Sequence, residues 1–353
     1  MKIVIHGATD QNSSNFGDFI YGNELYKICK SLNNEVIFYN PSNFFKKYTE
    51  GYAEQNIKVN QADILIYMPG GYFGEVKNAS LKRCIKNFIR YMPFGLKGIF
   101  YKKKVLIIGL GAGPIYSIFL KLPLKKIVRS AELITVRDNE SKRALEKIGA
   151  KNVLNYFDMI LSFDLYKQGK ESLQLRKIMQ NSKKILLVHY NHSNSALQIF
   201  AEATKKFIEK NSEYMIVVSA DSIISEDEEN FLKFSKICPM STYFKYKNPF
   251  EFIELLKNVD AVLTCKLHAG VVATMFQKSV ISVADHYEKT SRFYKLIGKS
   301  ERCISLENAS VEQVRNKLVN YIEEKIYIPE HILEMSNGHK NELINVLRRE
   351  INI

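Results

Sequence analysis

Short runs of apolar, β-branched residues recur along the chain, each stopped by a glycine or a polar side chain and followed by a helical pattern. That alternation is the signature of open parallel α/β sheets. In the first half the runs are Lys2 to His6, Glu35 to Tyr39, Ile64 to Met68, Val105 to Gly109, Leu133 to Val136 and Val153 to Tyr156. A second series takes in Ile185 to His189, Met215 to Ser219, Ala261 to Cys265 and Val280 to Ala284. The polar, basic stretch LSFDLYKQGKESLQLRKIMQNSKK lies between the two and suits a connector. At 353 residues the chain is long for one hydrophobic core. The pattern therefore predicts two α/β domains facing a central cleft, over 1–165 and 180–310, with a helical segment over 311–353. Functional groups of such sheets belong beyond the carboxyl ends of the strands.

Composition narrows the function classes. A hydrophobic fraction of 46% excludes a largely disordered chain. No apolar run reaches the ~18 residues of a membrane span, and MKIVIHGATD reads as a first buried strand rather than a leader. Cys29, Cys84, Cys238, Cys265 and Cys303 are scattered without paired spacing, which points to a reducing cytoplasm and away from a structural metal. The net charge of +14 has two readings. One is a compositional bias in a chain rich in lysine, asparagine, isoleucine and tyrosine; the other is attraction to anionic ligands and membranes. Nucleic acid is not expected, because no long basic tract is interleaved with aromatics.

The strand-ending loops hold the candidate residues. HGATDQNSSNFGDFIYGNEL carries Asn15, Gly17 and Asp18 ahead of a helix, and spends more polar positions than helix capping needs, with Asp18 a candidate catalytic base toward a hydroxyl. In PGGYFGE, Gly70 and Gly71 permit close backbone approach to a ligand, with a following helix turning N–H groups toward an anion. GLGAGPI contains Gly109, Gly111 and Gly113 but not the G-x-G-x-x-G spacing, which argues against a nicotinamide enzyme. Arg137 and Asp138 in ITVRDNES form either a local ion pair with a helix cap or an anion contact. Asp158 ends a strand and, if buried, needs a partner. His189 and His192 follow the first strand of the second series and suit phosphate binding or proton movement. CKLHAG supplies Lys266 and His268 at a helix start, and SVADHYEK adds Asp285, His286, Glu288 and Lys289.

Taken in order, NFGD, PGGYFGE, IGLGAGP, ITVRDNES, the strand-ending Asp158, CKLHAG and HYEK resemble the polysaccharide pyruvyl transferase family, over Asn15 to about Gly298. The resemblance implies a GT-B-like fold of two Rossmann-like domains. It also implies a pyruvyl transferase that moves a pyruvyl group from phosphoenolpyruvate to a sugar of a cell-surface polysaccharide or its lipid-linked precursor. The product is a cyclic ketal, and no cofactor is implied besides phosphoenolpyruvate as donor substrate. In such a site His268 is the acid or stabilises the leaving phosphate, and Lys266, Lys289, Arg137 and His189 hold the donor. Asp18, with Asn15, Gly17 and the loops around Gly70, Gly71 and Gly111, faces the acceptor, with Asp158 close by. Lys266 stands where the family usually has the arginine of an R-x-H motif, keeping the charge without the planar fork. Two alternatives remain open: a nucleotide-sugar glycosyltransferase of the same GT-B architecture, and a catalytically silent glycan- or phosphate-binding protein.

Two further segments mix apolar residues with many cations: KRCIKNFIRYMPFGLKGIFYKKK, with Phe88, Ile89, Tyr91, Met92, Phe94 and Phe100, and IYSIFLKLPLKKIVR. They read either as helices with one face in the core or as peripheral contacts to an anionic membrane surface. The second reading suits a cytoplasmic protein held on the inner face of a membrane beside a lipid-linked acceptor.

Overall fold

Every strand in the computed structural model, which describes residues 1–10, 14–55, 57–75, 80–190 and 194–351, runs parallel to its neighbours. The first sheet contains β1 Lys2–His6, β2 Glu35–Phe38, β3 Ile64–Tyr67, β4 Lys104–Leu110, β5 Leu133–Val136 and β6 Val153–Asn155, in spatial order β2-β1-β3-β4-β5-β6. The second contains β7 Lys184–His189, β8 Tyr214–Ser219, β9 Ser241–Tyr243, β10 Ala261–Thr264, β11 Ser279–Ala284 and β12 Cys303–Ser305, in order β12-β11-β10-β7-β8-β9. Parallel strands covered by crossover helices are buried on both faces, so they read as unbroken apolar runs. In β3, β10 and β11 every residue is buried.

The crossovers of the first sheet are α1 Phe16–Ser31, α2 Asn43–Tyr48, α3 Leu81–Phe100, α4 Ile118–Ser130 and α5 Asn139–Lys147. α6 Leu173–Met179 precedes the second sheet. Its helices are α7 Asn194–Ile208, α8 Asp227–Ile237, α9 Pro249–Asn258, α10 Leu267–Met275, α11 Tyr287–Leu296 and α12 Val311–Tyr321, and α13 Glu330–Ile351 closes the chain. The stretch expected as a polar connector is thus partly structured: α6 buries Leu175 and Ile178. β9 and β12 were not foreseen, because three half-polar residues at a sheet edge leave no apolar run to read.

Two compact units result. The first comprises Met1–Ser14, Asp18–Phe163 and His331–Ile353; the second comprises Asn15–Gly17 and Asp164–Glu330. The helical segment over 311–353 is divided between them, α12 packing on α7 and the chain from His331 onward joining the first unit. Each sheet has one point where successive connections set off in opposite directions, between β1 and β3 in the first and between β7 and β10 in the second. Crevices outside the carboxyl ends of strands at such points are where open α/β sheets bind ligands.

Candidate active site

In the second unit the reversal gathers polar groups from three adjacent strands. His189 ends β7, Thr264 ends β10, and Asp221 follows β8 by two residues. His189 is fully buried, with Nδ1 2.8 Å from the Thr264 hydroxyl and Nε2 3.7 Å from Asp221 Oδ1. The hydroxyl of Thr264 accepts from the Lys266 N–H at 3.0 Å and donates to the Lys266 carbonyl at 3.3 Å. Its single proton is committed there, so His189 Nδ1–H is the donor toward Thr264 and Nε2 is turned to the carboxylate. The carboxylate also accepts from the Asn15 amide at 3.2 Å, while the Asp221 carbonyl accepts from the Phe16 N–H at 2.8 Å.

Burial pushes the Asp221 carboxyl up. The nearby His189, with the charges of Lys266 and His268, outweighs it and holds the group down at about 2. Lys266 and His268 therefore lie in the field of a buried, ionised carboxylate. Both are half-buried, Lys266 as the residue capping α10 and His268 in its first turn. The Lys266 side chain makes no cap hydrogen bond, and the rest of the helix is almost wholly apolar and buried. Gly17 completes the arrangement. A Cβ added there would stand 2.0 Å from His268 Nδ1, so the imidazole occupies the volume that any other residue at position 17 would fill.

The next strand adds a further cation. The Asp285 N–H donates to the Cys265 carbonyl at 3.2 Å, bringing the end of β11 beside that of β10. His286 and Glu288 are exposed and Lys289 is half-buried in the first turn of α11. His192 lies outside the described residues.

Arg137, Asp158 and Gly111 come together in the first unit instead. Arg137 follows β5 and is buried, with Nη1 3.5 Å from Asp158 Oδ2 and no hydrogen bond to that nitrogen among the described residues. A Cβ on Gly111 would meet Arg137 Nη2 at 2.8 Å, so this loop makes room for an internal guanidinium. The Tyr21 hydroxyl donates to Asp158 Oδ1, and burial together with the Asp158 charge pushes that phenol well above its usual range. Asp138 caps α5 by accepting from the Ser141 N–H at 2.7 Å, which is the capping role foreseen for it; the ion pair of Arg137 runs to Asp158. His339 on α13 packs beneath, bonded to the Phe157 carbonyl at 2.7 Å and the Thr135 hydroxyl at 2.8 Å.

The PGGYFGE loop behaves differently from the expectation. A helix does not follow the glycines at once, because α3 begins only at Leu81. Gly70 is backed by the Tyr72 ring, 2.4 Å from where a Cβ would lie, and its carbonyl accepts from the Gly111 N–H at 2.8 Å. Gly71 is exposed and has open space where its side chain would be. Glu75 is a helix-start acceptor, taking the N–H groups of Tyr116 and Ser117 at 2.7 Å each. Asp18 is half-buried and acts through its charge on Tyr72 and Tyr91, whose rings stack 4.5 Å apart.

Asp221, Thr264, Tyr21 and His339 were missed in the sequence. Asp221 had a usable signal, since VVSAD ends an apolar run in a carboxylate just as NYFD does. Tyr21 had none, being one more apolar position on a helix.

The model of the polysaccharide pyruvyl transferase family matches residues 15–287. No curated protein matches the chain by sequence. Among solved structures, the UDP-GlcNAc 2-epimerase of Methanocaldococcus jannaschii is similar at a TM-score of 0.68 and 12% identity, covering 99% of this chain and 100% of that one. Its complex with UDP-GlcNAc and UDP gives 0.65 and 11%, with the same coverage. The UDP-N-acetylglucosamine 2-epimerase of Rickettsia bellii gives 0.65 and 10%, covering 100% and 97%. At such identities the likeness speaks for the GT-B fold of two Rossmann-like domains.

Proposed function

We propose that this chain, which belongs to the polysaccharide pyruvyl transferase family, transfers the pyruvyl group of phosphoenolpyruvate to two hydroxyls of a glycan sugar and closes a cyclic ketal. Carrying the proposal is the cluster at the β7–β10 reversal, where a lysine and two histidines meet a buried carboxylate at a helix start. Phosphoenolpyruvate brings a phosphate and a carboxylate, so its site needs cations and N–H donors fixed in advance. Lys266, Lys289 and the first N–H groups of α10 are of that kind. Histidine suits the proton step because its ordinary pKa lies near working pH.

In the reaction, His268 gives a proton to the methylene carbon, which becomes the methyl group and leaves an oxocarbenium-like centre at C2. A sugar hydroxyl adds to C2 and passes its proton to the departing phosphate. The C2–O bond to phosphate breaks, the phosphate leaving with the electron pair, and a second hydroxyl adds to close the ketal, its proton restoring the acid form of His268. Asp221 positions rather than reacts: its charge orients Lys266 and His268, and His189 holds it in place. Asn15 and Gly17 fix the bed of His268. Asp18 and the exposed Gly71 are assigned to the acceptor.

Calorimetric titration with phosphoenolpyruvate against a panel of UDP-sugars separates this proposal from a nucleotide-sugar enzyme. Heat with phosphoenolpyruvate, and acceptor-dependent phosphate release abolished in His268→Ala, is the expected result. Binding of UDP-sugars with none of phosphoenolpyruvate would overturn it.

A further inference from the structure

The positive charge of this protein is local. Twelve of its 51 lysines and arginines, and none of its 37 acidic residues, lie between 80 and 131, so the rest of the chain is within two charges of neutral. A compositional bias would spread the excess along the whole sequence. This segment is α3, β4 and α4, and its two helices pack side by side. Consecutive crossovers in one direction along a parallel sheet place them in the same covering layer.

Exposed apolar side chains concentrate in the same place. On α3, Leu81, Ile85 and Ile89 recur at helical spacing, and Ile89 is 65% exposed. On α4, Ile118, Phe119 and Leu122 fall on one side, Ile118 at 62% and Leu122 at 55%. Lys126 and Arg129 share that side of α4 by the period of 3.6 residues. The core demands account for other residues of these helices: Tyr91, Met92 and Phe94 are buried against the sheet. Arg90 is paired with Asp10, and Lys104 with Glu132 and Glu350. Lys121, Lys125, Lys126 and Arg129 form no ion pair among the described residues, so their charge faces outward.

We propose that the outer faces of α3 and α4 dock on an anionic bilayer surface. Exposed leucine, isoleucine and phenylalanine enter the boundary between headgroups and acyl chains, while surrounding cations meet lipid phosphates, the two attractions of an interfacial helix. A nucleic acid would use the cations but has no place for the aliphatic side chains. No helix among the described residues is long and apolar enough to cross a membrane, so the contact is with one leaflet.

The test is flotation of the full chain with vesicles of phosphatidylcholine alone or mixed with phosphatidylglycerol. Binding to the mixed vesicles, weakened by salt and at least roughly tenfold stronger than to phosphatidylcholine, is expected. Lys121→Glu/Lys125→Glu/Lys126→Glu and, separately, Ile118→Ser/Phe119→Ser/Leu122→Ser should each lose most of it. All six side chains lie toward solvent or only half-buried, and thermal melts and circular dichroism confirm that each variant folds. Equal binding to both vesicle types, unchanged binding by folded variants, or retention of an oligonucleotide in place of vesicles would each overturn the proposal. None of these residues belongs to the assigned transfer site, so phosphate release on a soluble acceptor reads the transferase proposal independently.

Discussion

Gly17 and His268 share one space: the imidazole Nδ1 lies 2.0 Å from where the side chain of residue 17 would begin. A glycine near the start of α1 costs helix stability, about 1 kcal/mol relative to alanine. It is kept where a ring from another part of the chain needs the room.

Gly17→Ala should therefore displace His268 while the helix itself gains. Misplacing a catalytic group by about an ångström costs on the order of 10²-fold in rate. Acceptor-dependent phosphate release should fall by that order, and Gly17→Ala/His268→Ala should be no slower than His268→Ala alone. Additive losses in the double variant would show that the two positions act separately.

Asp221 predicts an acid limb. Its carboxyl drops from the usual 3.8 to about 2, so the stabilisation is complete above 3.8 and disappears as pH falls through 2. The shift corresponds to about 2 kcal/mol. Urea unfolding of wild type and Asp221→Asn between pH 5 and pH 2 should show the two curves converging toward acid, and parallel curves would refute the assignment.

His339 titrates in the opposite chemical sense but with the same slope. Burial lowers it from 6.5 to about 4, against the smaller pull of the Phe157 carbonyl and Asp158. The neutral ring donates from Nε2 to Phe157 and accepts at Nδ1 from Thr135, whose oxygen accepts from the Gly109 N–H. The unfolded chain takes up a proton below 6.5 that the folded one refuses until about 4, so stability falls across that window, by about 3 kcal/mol. In His339→Asn this slope should shrink by one proton. His6, also lowered to about 4 by burial, adds a slope of its own across the same window.

Arg137→Met takes the Arg137 guanidinium away from the buried Asp158 carboxylate. Such a half-removed pair costs on the order of 3–5 kcal/mol. Arg137→Met/Asp158→Leu should recover much of it in denaturant midpoints. A single variant as stable as wild type would refute a stabilising role for the pair.

Legibility in the sequence followed the range of the interaction. Strands such as Leu133–Val136 announce themselves because burial on both faces requires a local apolar run. The ends of β7 and β10 were visible for the same reason, since His189 and Lys266 interrupt or follow such runs. What no window of sequence contains is a partner chosen at a distance. Asn15 finds Asp221 across 206 positions, and His339 finds Thr135 across 204. Arg137 suits a ligand or the neighbouring aspartate equally in sequence, and its ion pair in the structure is with the distant Asp158. The basic segment over 80–131 was legible as charge, but which of its apolar residues face outward depended on the sheet beneath.

The division of the chain between its two units has a consequence for its synthesis. Domains generally complete themselves as they leave the ribosome, the first before the second. Here residues 15–17 emerge with the first unit yet wait for Asp221 and His268, and the first unit waits for α13 to seat His339 against Phe157. The first unit is finished only when α13 arrives, after the whole of the second has been made, so cutting between the units would yield two fragments each missing a piece of itself.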